Sequence, residues 1–269
     1  MVISSLHEGA SSPMAEQVDG LLDKLRKLIE LRRKPMQEKH LALMFWNYPA
    51  GEKNLGASNL NVPRSIVSIQ AALREEGYAA GDPVEENDVI ETAQRLLGAL
   101  YGSVALETLL DEGLAGLYPL DDYQAWLNTL PRQRQEELRR ADGDPARHDN
   151  VREIDGRDYL VIPRWQLGNL LVMPQMPRHG NLHGHNHHHH YHDTDSAPGH
   201  LYLAAYRYLQ EHYAADALIH LGTHGSQEWL PGKDRGLSAY DYPWLAVGDM
   251  PVFYPYIQDN VGEAIQAKR

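Results

Sequence analysis

The feature that most constrains the fold is a short apolar run followed by a long loop and then a helix. His40–Trp46, HLALMFW, has the length and composition of a buried strand. Residues 47–63 are rich in Gly, Asn and Pro, and the helix predicted over Arg64–Gly77 has Pro63 near its first turn. This order predicts a Rossmann-like element in an α/β fold. The glycine spacing does not match a dinucleotide fingerprint, so a nucleotide site is not predicted.

The remaining pattern predicts helical additions and a small β ribbon around this element. Further helices are predicted over Ala15–Arg33, Asp88–Tyr101, Tyr123–Leu138 with a break at Pro131, and His200–Tyr213. A ribbon is predicted in the segment that begins at Tyr159, and a second buried strand over Ala217–Leu221. We therefore divide the chain into a loose N-terminus (1–14), an α/β and helical region (15–141), a polar linker (142–158) and a C-terminal region (159–269).

Composition excludes several classes of partner and site. A net charge of −12 argues against nonspecific nucleic-acid binding, which needs clustered Lys and Arg. No segment approaches 18 uninterrupted apolar residues and no secretory signal is visible, so we expect no membrane span and a cytoplasmic location. The chain has no cysteine, so any metal must be held by nitrogen and oxygen. Fifteen tyrosines against two phenylalanines is an unusual balance, which composition alone does not explain.

The segment Asp216–Lys233, DALIHLGTHGSQEWLPGK, contains the strongest candidate for a metal site. His220, His224 and Glu228 stand four residues apart in it. Two imidazoles and a carboxylate are a ligand set that borderline divalent metals favour. The alternative is a turn whose histidines hydrogen-bond their own backbone.

The residues between these three side chains argue against a metalloprotease-type helix. Gly222 and Gly225 lie inside the candidate helix, and each costs about 1 kcal/mol relative to Ala. A strand that ends in a loop is the better prediction, because ligands often bind beyond the carboxyl ends of strands in α/β sheets. Metal-dependent hydrolysis is therefore disfavoured.

One low-complexity segment, residues 179–193, contains eight of the fifteen histidines. Such tracts bind divalent transition metals because several neutral imidazoles can chelate one ion. We predict an auxiliary metal-collecting loop that uses His183, His185, His187, His188, His189 and His190. The alternative is a solvated, variable loop without a metal role.

Several segments in order resemble one known family. The stretch from Asp216 to Arg269, together with KHLALMFWNYPAGEKNLGASNLNVPRSIVSIQAALREEGY, GNLLVMPQ and YHDTDSAPGHLYLAAYRYL, resembles the cobaltochelatase large subunit and the related magnesium-chelatase H subunit. The resemblance runs from about Leu21 to Arg269. The segment EWLPGK is similar to the cobalt-type branch, since the magnesium branch more often has Phe-Met where Trp229 and Leu230 stand. The His tract and Leu201 depart from the family pattern.

The resemblance implies insertion of Co²⁺, as the substrate metal, into a corrinoid tetrapyrrole in cobalamin biosynthesis. It implies that AAA-type partner subunits hydrolyse the ATP. Family members are far longer, so we expect this chain to be a central segment or a truncated relative, with the rest of a split large subunit as a further partner. Two alternatives stay open. One is a non-catalytic His-rich protein that binds Co²⁺, Ni²⁺ or Zn²⁺ for delivery, and the other is a subunit of the magnesium-chelatase H type.

The resemblance also gives roles to the residues of the opening motif. His220 and His224 are expected to bind the metal or to accept ring protons, and Glu228 to act as a third ligand or as a base. The alternatives are hydrogen-bonded loop histidines and an ion pair between Glu228 and Lys233.

Further candidates complete the predicted site. His192, Asp193 and Asp195 could add metal ligands, with His200 as another, unless these residues cap the following helix. Lys233 and Arg235 are expected to pair with acidic side chains of the corrinoid, unless they are ordinary surface residues. The macrocycle pocket is predicted to be lined by Asn47, Asn54, Gly56 and Ser58, although tight-turn chemistry explains them equally well.

Overall fold

The computed structural model describes residues 4–7, 9–47, 51, 53–57, 59–178, 194–222, 226–233 and 236–255. The helices are α1 (Ala15–Arg33), α2 (Val62–Glu75), α3 (Glu86–Tyr101), α4 (Leu106–Asp111), α5 (Leu120–Thr129), α6 (Arg132–Asp142), α7 (His200–Glu211) and α8 (Tyr242–Val247). The strands are β1 (Ser4–His7), β2 (Ala10–Pro13), β3 (Leu41–Phe45), β4 (Gly56–Ala57), β5 (Leu60–Asn61), β6 (Ala115–Pro119), β7 (Val151–Ile154), β8 (Arg157–Pro163), β9 (Trp165–Leu167), β10 (Leu170–Pro174), β11 (Ala217–Leu221) and β12 (Val252–Phe253).

A five-stranded sheet with the order β12-β11-β3-β10-β9 forms the centre of the fold. The strands β3, β10, β11 and β12 run parallel, and β9 joins β10 in the antiparallel sense. Leu43 on β3 lies opposite Val172 on β10 and Ile219 on β11. β3 and β10 are buried along their whole length, as expected for parallel strands covered on both faces. The predicted α/β class is confirmed.

The strand order reverses direction at β3. From β3 the chain proceeds to β10 on one side, and then through α7 to β11 on the other side of β3. Such a reversal opens a crevice at the carboxyl ends of the two central strands, where α/β proteins bind ligands. The loops that follow β3 and β11 therefore flank the expected ligand position.

Local sequence signals account for most of the helices. The side chain of Asn61 caps α2 by accepting a hydrogen bond from the Arg64 backbone N–H at 3.0 Å, and a proline occupies its first turn. Pro131 separates α5 from α6, so the predicted break is confirmed. The bounds predicted for α1 and for β11 match the structure.

Residues 142–158, which the sequence predicts to be a polar linker, include secondary structure. They contain the end of α6, a short 3-10 helix and β7, which pairs with β8 in a second sheet of order β6-β8-β7. Asp155 and Gly156 connect β7 to β8 with φ angles of 52° and 79°. Two residues with positive φ are the turn that an Asp-Gly pair favours in a hairpin. Polarity alone does not distinguish such a hairpin from a linker, and the division of the chain into regions stays a prediction.

The predicted ribbon after Tyr159 is divided between two sheets. β9 and β10 form a hairpin around Gly168, whose φ of 57° suits the turn, and this part of the prediction is confirmed. β8 pairs instead with β6 and β7. Residues 1–14 also differ from the loose terminus that the sequence predicts, because β1 and β2 pair as a hairpin in which Gly9 has a φ of 81°.

The helix α1 is amphipathic but lies at the surface. Leu22, Leu25 and Ile29 are 51%, 46% and 49% exposed, and Gln17 is its buried residue. Within the described residues, no helix has the length and apolar character needed to cross a membrane.

Candidate functional site

The carboxyl ends of the three adjacent strands β3, β10 and β11 form a common edge. Backbone pairing continues past the strand ends, because the Trp46 N–H donates to the Leu221 carbonyl and the Gln175 N–H donates to the Phe45 carbonyl, each at 2.9 Å. These bonds hold the first residues of the three loops side by side. The polar side chains that follow the strands consequently meet at one place.

His220 lies at this edge as the fourth residue of β11 and is 3% exposed. Its Nε2 is 3.3 Å from the Tyr206 hydroxyl, and that hydroxyl donates to Oε1 of Gln175 at 3.1 Å. Because the hydroxyl proton is directed to Gln175, the Tyr206 oxygen accepts a hydrogen bond from His220 Nε2–H. This tautomer leaves the lone pair of His220 on Nδ1.

Glu228 is held in a short 3-10 helix, Gln227–Trp229, and is also 3% exposed. It forms a hydrogen bond with Tyr254, whose hydroxyl also accepts one from Nε2 of Gln227. The Tyr254 ring stacks on the His220 imidazole, with centroids 5.6 Å apart and planes 13° apart. Tyr254 therefore brings His220 and Glu228, two of the predicted catalytic residues, into one cluster.

The tyrosines of this cluster serve as hydrogen-bond donors at neutral pH. Burial raises the pKa of Tyr202 to about 12 and raises the pKa of Tyr206 well above its ordinary value. The pKa of Tyr254 is raised by burial and by the adjacent negative charge of Glu228. Since all three remain protonated, the imidazole of His220 and the carboxylate of Glu228 are the groups of this cluster suited to accept protons.

The same edge presents polar groups that sequence reasoning missed. The Tyr202 hydroxyl lies 2.6 Å from Ser226 Oγ, and Nε2 of buried Gln175 has no hydrogen-bond partner among the described residues. A buried donor without a partner is unfavourable unless a ligand or water satisfies it. The available signal was the tyrosine excess, together with the spacing of Tyr202 and Tyr206, which places both on one face of α7.

Substituting Tyr206→Phe should lower the free energy of unfolding by about 1–3 kcal/mol. The change removes the hydroxyl that joins Gln175 to His220 and leaves buried polar groups without partners. Denaturant unfolding followed by circular dichroism measures the effect. Tyr240→Phe, at an exposed position, is the control and should change stability by less than about 0.5 kcal/mol. Equal stabilities of the Tyr206 and Tyr240 variants would contradict the prediction.

The complete metal-ligand set stays a prediction. His224 lies outside the described residues, as do His192, Asp193 and the whole tract of residues 179–193. Within the described part of the chain, no three His, Asp or Glu side chains are arranged to hold a metal ion. Asp195 is exposed before α7. His220 and Glu228 thus form the described part of the candidate site.

His200 has a structural arrangement that does not support its assignment as a metal ligand. Its Nδ1 accepts a hydrogen bond from the Tyr123 hydroxyl at 2.9 Å, and its Nε2 donates to the Gly143 carbonyl at 3.2 Å. Both ring nitrogens are therefore engaged with protein groups. The cap at the start of α7, which the sequence assigns to the residues before the helix, comes from another helix. Asp142 from α6 accepts a hydrogen bond from the His200 backbone N–H at 2.6 Å, and Gly199 is the N-cap residue.

Stability should fall as the pH drops below about 6.5, the ordinary pKa of histidine. Burial lowers the pKa values of His200 and His148, and His148 lies near Asp142 and accepts from the Asn150 N–H. The unfolded chain then binds protons first, so unfolding is favoured by up to about 1.4 kcal/mol per pH unit for each histidine. Chemical denaturation at pH 5, 6, 7 and 8 measures the slope.

The matched variant for this pH dependence is His148→Asn, which should make the slope below pH 6.5 shallower. His212→Asn, at a surface position where the ring meets Asp122, should not do so. A stability that rises on acidification from pH 7 to pH 5 would contradict the prediction.

The predicted macrocycle-lining residues mainly order the loop after β3. The Asn47 amide donates to the carbonyls of Gly51 and Asn54, and its Oδ1 accepts from the Tyr101 hydroxyl at 2.9 Å. The Gly51 N–H donates to the Tyr101 hydroxyl at 2.7 Å, so α3 holds the loop in place. Gly56 forms part of the β4–β5 pairing. Ser58 lies outside the described residues, and the role of these residues toward a macrocycle stays a prediction.

The basic candidates differ in position. Lys233 is exposed, and its backbone N–H lies 3.4 Å from Asp241 Oδ2, while Arg235 lies outside the described residues. Glu228 is buried beside Tyr254, and among the described residues it does not form the alternative ion pair with Lys233.

Comparison with known proteins identifies the family of the chain. The CobN/Magnesium Chelatase family matches residues 4–269. The chain belongs to this family. It is 37% identical over 256 residues to the aerobic cobaltochelatase subunit CobN of Pseudomonas aeruginosa, covering 94% of this chain and 20% of that protein. It is 29% identical over 262 residues to the magnesium-chelatase H subunit of Rhodobacter capsulatus, covering 97% of this chain and 20% of that protein.

A solved structure is similar along nearly the whole chain. It is the catalytic subunit of cobaltochelatase from Mycobacterium tuberculosis, with a TM-score of 0.78, 30% identity, and coverage of 99% of this chain and 22% of that chain. The chain therefore spans about a fifth of the length of the relatives it matches.

Proposed function

We propose that this chain contributes the metal-insertion site of a chelatase large subunit. The observation that carries the proposal is the buried cluster of His220, Tyr254 and Glu228 at the carboxyl edge of the sheet, in a chain of the CobN/magnesium chelatase family. The cluster combines a nitrogen lone pair, a carboxylate and neutral phenols. These are the groups that bind a divalent cation and accept protons from a neutral ring.

The chemistry of insertion fits the two proton acceptors. A divalent metal that enters a tetrapyrrole gives up its water ligands and displaces the N–H protons of the ring, one from a corrin and two from a porphyrin. His220 Nδ1 and Glu228 can replace water around the ion and then accept the released protons. Tyr206 fixes the imidazole orientation through Nε2, and Tyr254 fixes the carboxylate. His224 is the third member of the proposed set.

Cobalt is the proposed substrate metal, and a corrinoid of cobalamin biosynthesis is the proposed acceptor. The 37% identity to the Pseudomonas aeruginosa CobN protein supports this choice, as does the segment EWLPGK. A role of the magnesium-chelatase H type is the second candidate, supported by the 29% identity to the Rhodobacter capsulatus protein over 97% of the chain.

Other parts of the predicted machinery are proposed with this role. AAA-type ATPase subunits are the proposed partners that hydrolyse ATP, and the rest of a split large subunit is a further partner. The cytoplasm is the proposed location.

Two variants of the full chain test the proposal against a metal-delivery role. In one, His220, His224 and Glu228 are changed to Ala, and in the other residues 179–190 are replaced by a Gly/Ser loop. Co²⁺ binding is measured by calorimetry, and binding of a corrinoid by quenching of intrinsic fluorescence. We expect the unaltered chain to bind the corrinoid and the triple variant to lose the part of Co²⁺ binding that depends on the corrinoid. The loop variant should keep both.

The opposite result would support the alternative. If Co²⁺ binding is lost only when the His tract is replaced, and no corrinoid binds to the unaltered chain, the insertion role fails. The same chain would then be a metal-binding protein that uses its tract for delivery.

A further inference from the structure

A cavity of about 350 Å³ lies between α1, α8 and the segment that carries Glu228. Its walls are mostly apolar, with Leu21, Leu237 and Val247 among them, and the Trp244 side chain forms another part of the lining. The volume is at the small end of the range of ligand pockets, which is about 300–1,000 Å³. Glu228 and Tyr254 border both this cavity and the candidate site, so the two adjoin.

Lys24 brings a positive charge to this apolar space. It is half-buried on α1, and its Nζ lies 5.2 Å from the centroid of the Trp244 ring. Burial lowers the pKa of Lys24, and the charge of Asp249 opposes this effect only in part. In the part of the chain that the structure describes, no carboxylate forms an ion pair with Lys24. An anionic group in the cavity would compensate this desolvated charge.

We propose that this cavity binds a small molecule that carries a carboxylate on an apolar body. The carboxylate pairs with Lys24, and the apolar body contacts Trp244 and the aliphatic walls. Two sources share this chemistry: a free aromatic acid, or a carboxylate arm of a tetrapyrrole whose ring lies at the adjoining site. Only the second source rests on the proposed function.

Binding of indole-3-propionate to the full chain, measured by calorimetry, tests the proposal directly. We expect the acid to bind about tenfold more tightly than indole-3-propionamide, because only the acid pairs with Lys24. Lys24→Met should remove this difference. Lys27→Met is the matched control, since the side chain of Lys27 on α1 is 43% exposed and lies 3.9 Å from Glu30, and it should leave the difference unchanged.

A second variant tests the shape of the cavity without changing the charge of Lys24. Leu21→Trp, at a half-buried position on α1, should narrow the cavity and weaken both the acid and the amide. Circular dichroism and thermal unfolding verify that each variant is folded. The proposal is overturned if the acid does not bind, if acid and amide bind equally, or if Lys24→Met keeps the difference.

Coproporphyrin and its tetramethyl ester distinguish the two sources. If Lys24→Met weakens the porphyrin acid but not the ester, the cavity holds a carboxylate arm of the macrocycle. If only indole-3-propionate is affected, the cavity holds a separate small acid. If neither responds, the proposal is wrong. Co²⁺ is absent from these assays, so their failure is distinguishable from failure of the insertion role at His220 and Glu228.

Discussion

Substituting Glu228→Gln should lower the rate of Co²⁺ insertion by about 10²–10⁴-fold, the usual contribution of a positioned acid or base. The amide has nearly the shape of the carboxylate and can still accept a hydrogen bond from Tyr254, so the fold should be retained. It cannot take a proton released from the ring, and it binds a divalent cation more weakly. Insertion is measured from the change in corrinoid absorbance, with the full chain, the rest of the split large subunit and the proposed ATPase subunits.

The control for this variant is Glu75→Gln, which changes an exposed carboxylate at the end of α2. It should insert Co²⁺ at the rate of the unaltered chain. The thermal unfolding midpoint of Glu228→Gln should remain close to that of the unaltered protein, because the two side chains have nearly the same volume. A Glu228→Gln protein that is folded and inserts Co²⁺ at an unchanged rate would exclude Glu228 as a base or ligand.

The sequence predicted the elements whose signals are local. β3 consists of five apolar residues, and β11 has four apolar residues together with His220. The burial of both strands could therefore be inferred without knowing their neighbours. The helices α1, α2 and α7 follow from apolar spacing and from Pro or Gly near their ends. The short β7 could not be separated from a linker by polarity, although its Asp-Gly turn was an available signal.

The sequence predicted the candidate site only in part. Its residues follow different strands, and they lie close together only because those strands are neighbours in the sheet. Gln175 follows β10, His220 lies on β11, and Tyr254 follows β12, and nothing in their spacing indicates that they meet. Tyr206 joins them from α7, where the local pattern is simply that of a buried helix. The motif around His220 indicated the strand end at which the described part of the candidate site lies, but not the phenols and the amide that orient its side chains.

His200 illustrates the opposite error. Its place beside an Asp-rich turn suggested a ligand, but its partners are Tyr123 and Gly143, which are more than fifty residues away in the chain. Both of its ring nitrogens are engaged by the protein, which favours a packing role over metal binding. Only tertiary structure reveals these partners.

The second large effect is expected for His220→Gln, which should lower Co²⁺ insertion by about 10²–10³-fold. The glutamine amide can still donate a hydrogen bond to the Tyr206 oxygen, so it replaces the hydrogen bond made by His220 Nε2. The variant lacks the Nδ1 lone pair, and with it the proposed metal ligand and proton acceptor. Insertion rate and Co²⁺ affinity are measured together on the same preparation.

Comparison with Tyr206→Phe separates the chemical role of His220 from its positioning. Tyr206→Phe keeps the imidazole but removes the hydroxyl that orients it, so insertion should fall by about tenfold while Co²⁺ still binds. His220→Gln should lose both insertion and the part of Co²⁺ binding that depends on the corrinoid. If Tyr206→Phe impairs insertion as severely as His220→Gln, the hydrogen-bonded cluster acts as a unit. If His220→Gln leaves both quantities unchanged, then the metal binds elsewhere, and the carboxyl end of β11 serves only to hold the loop that follows it.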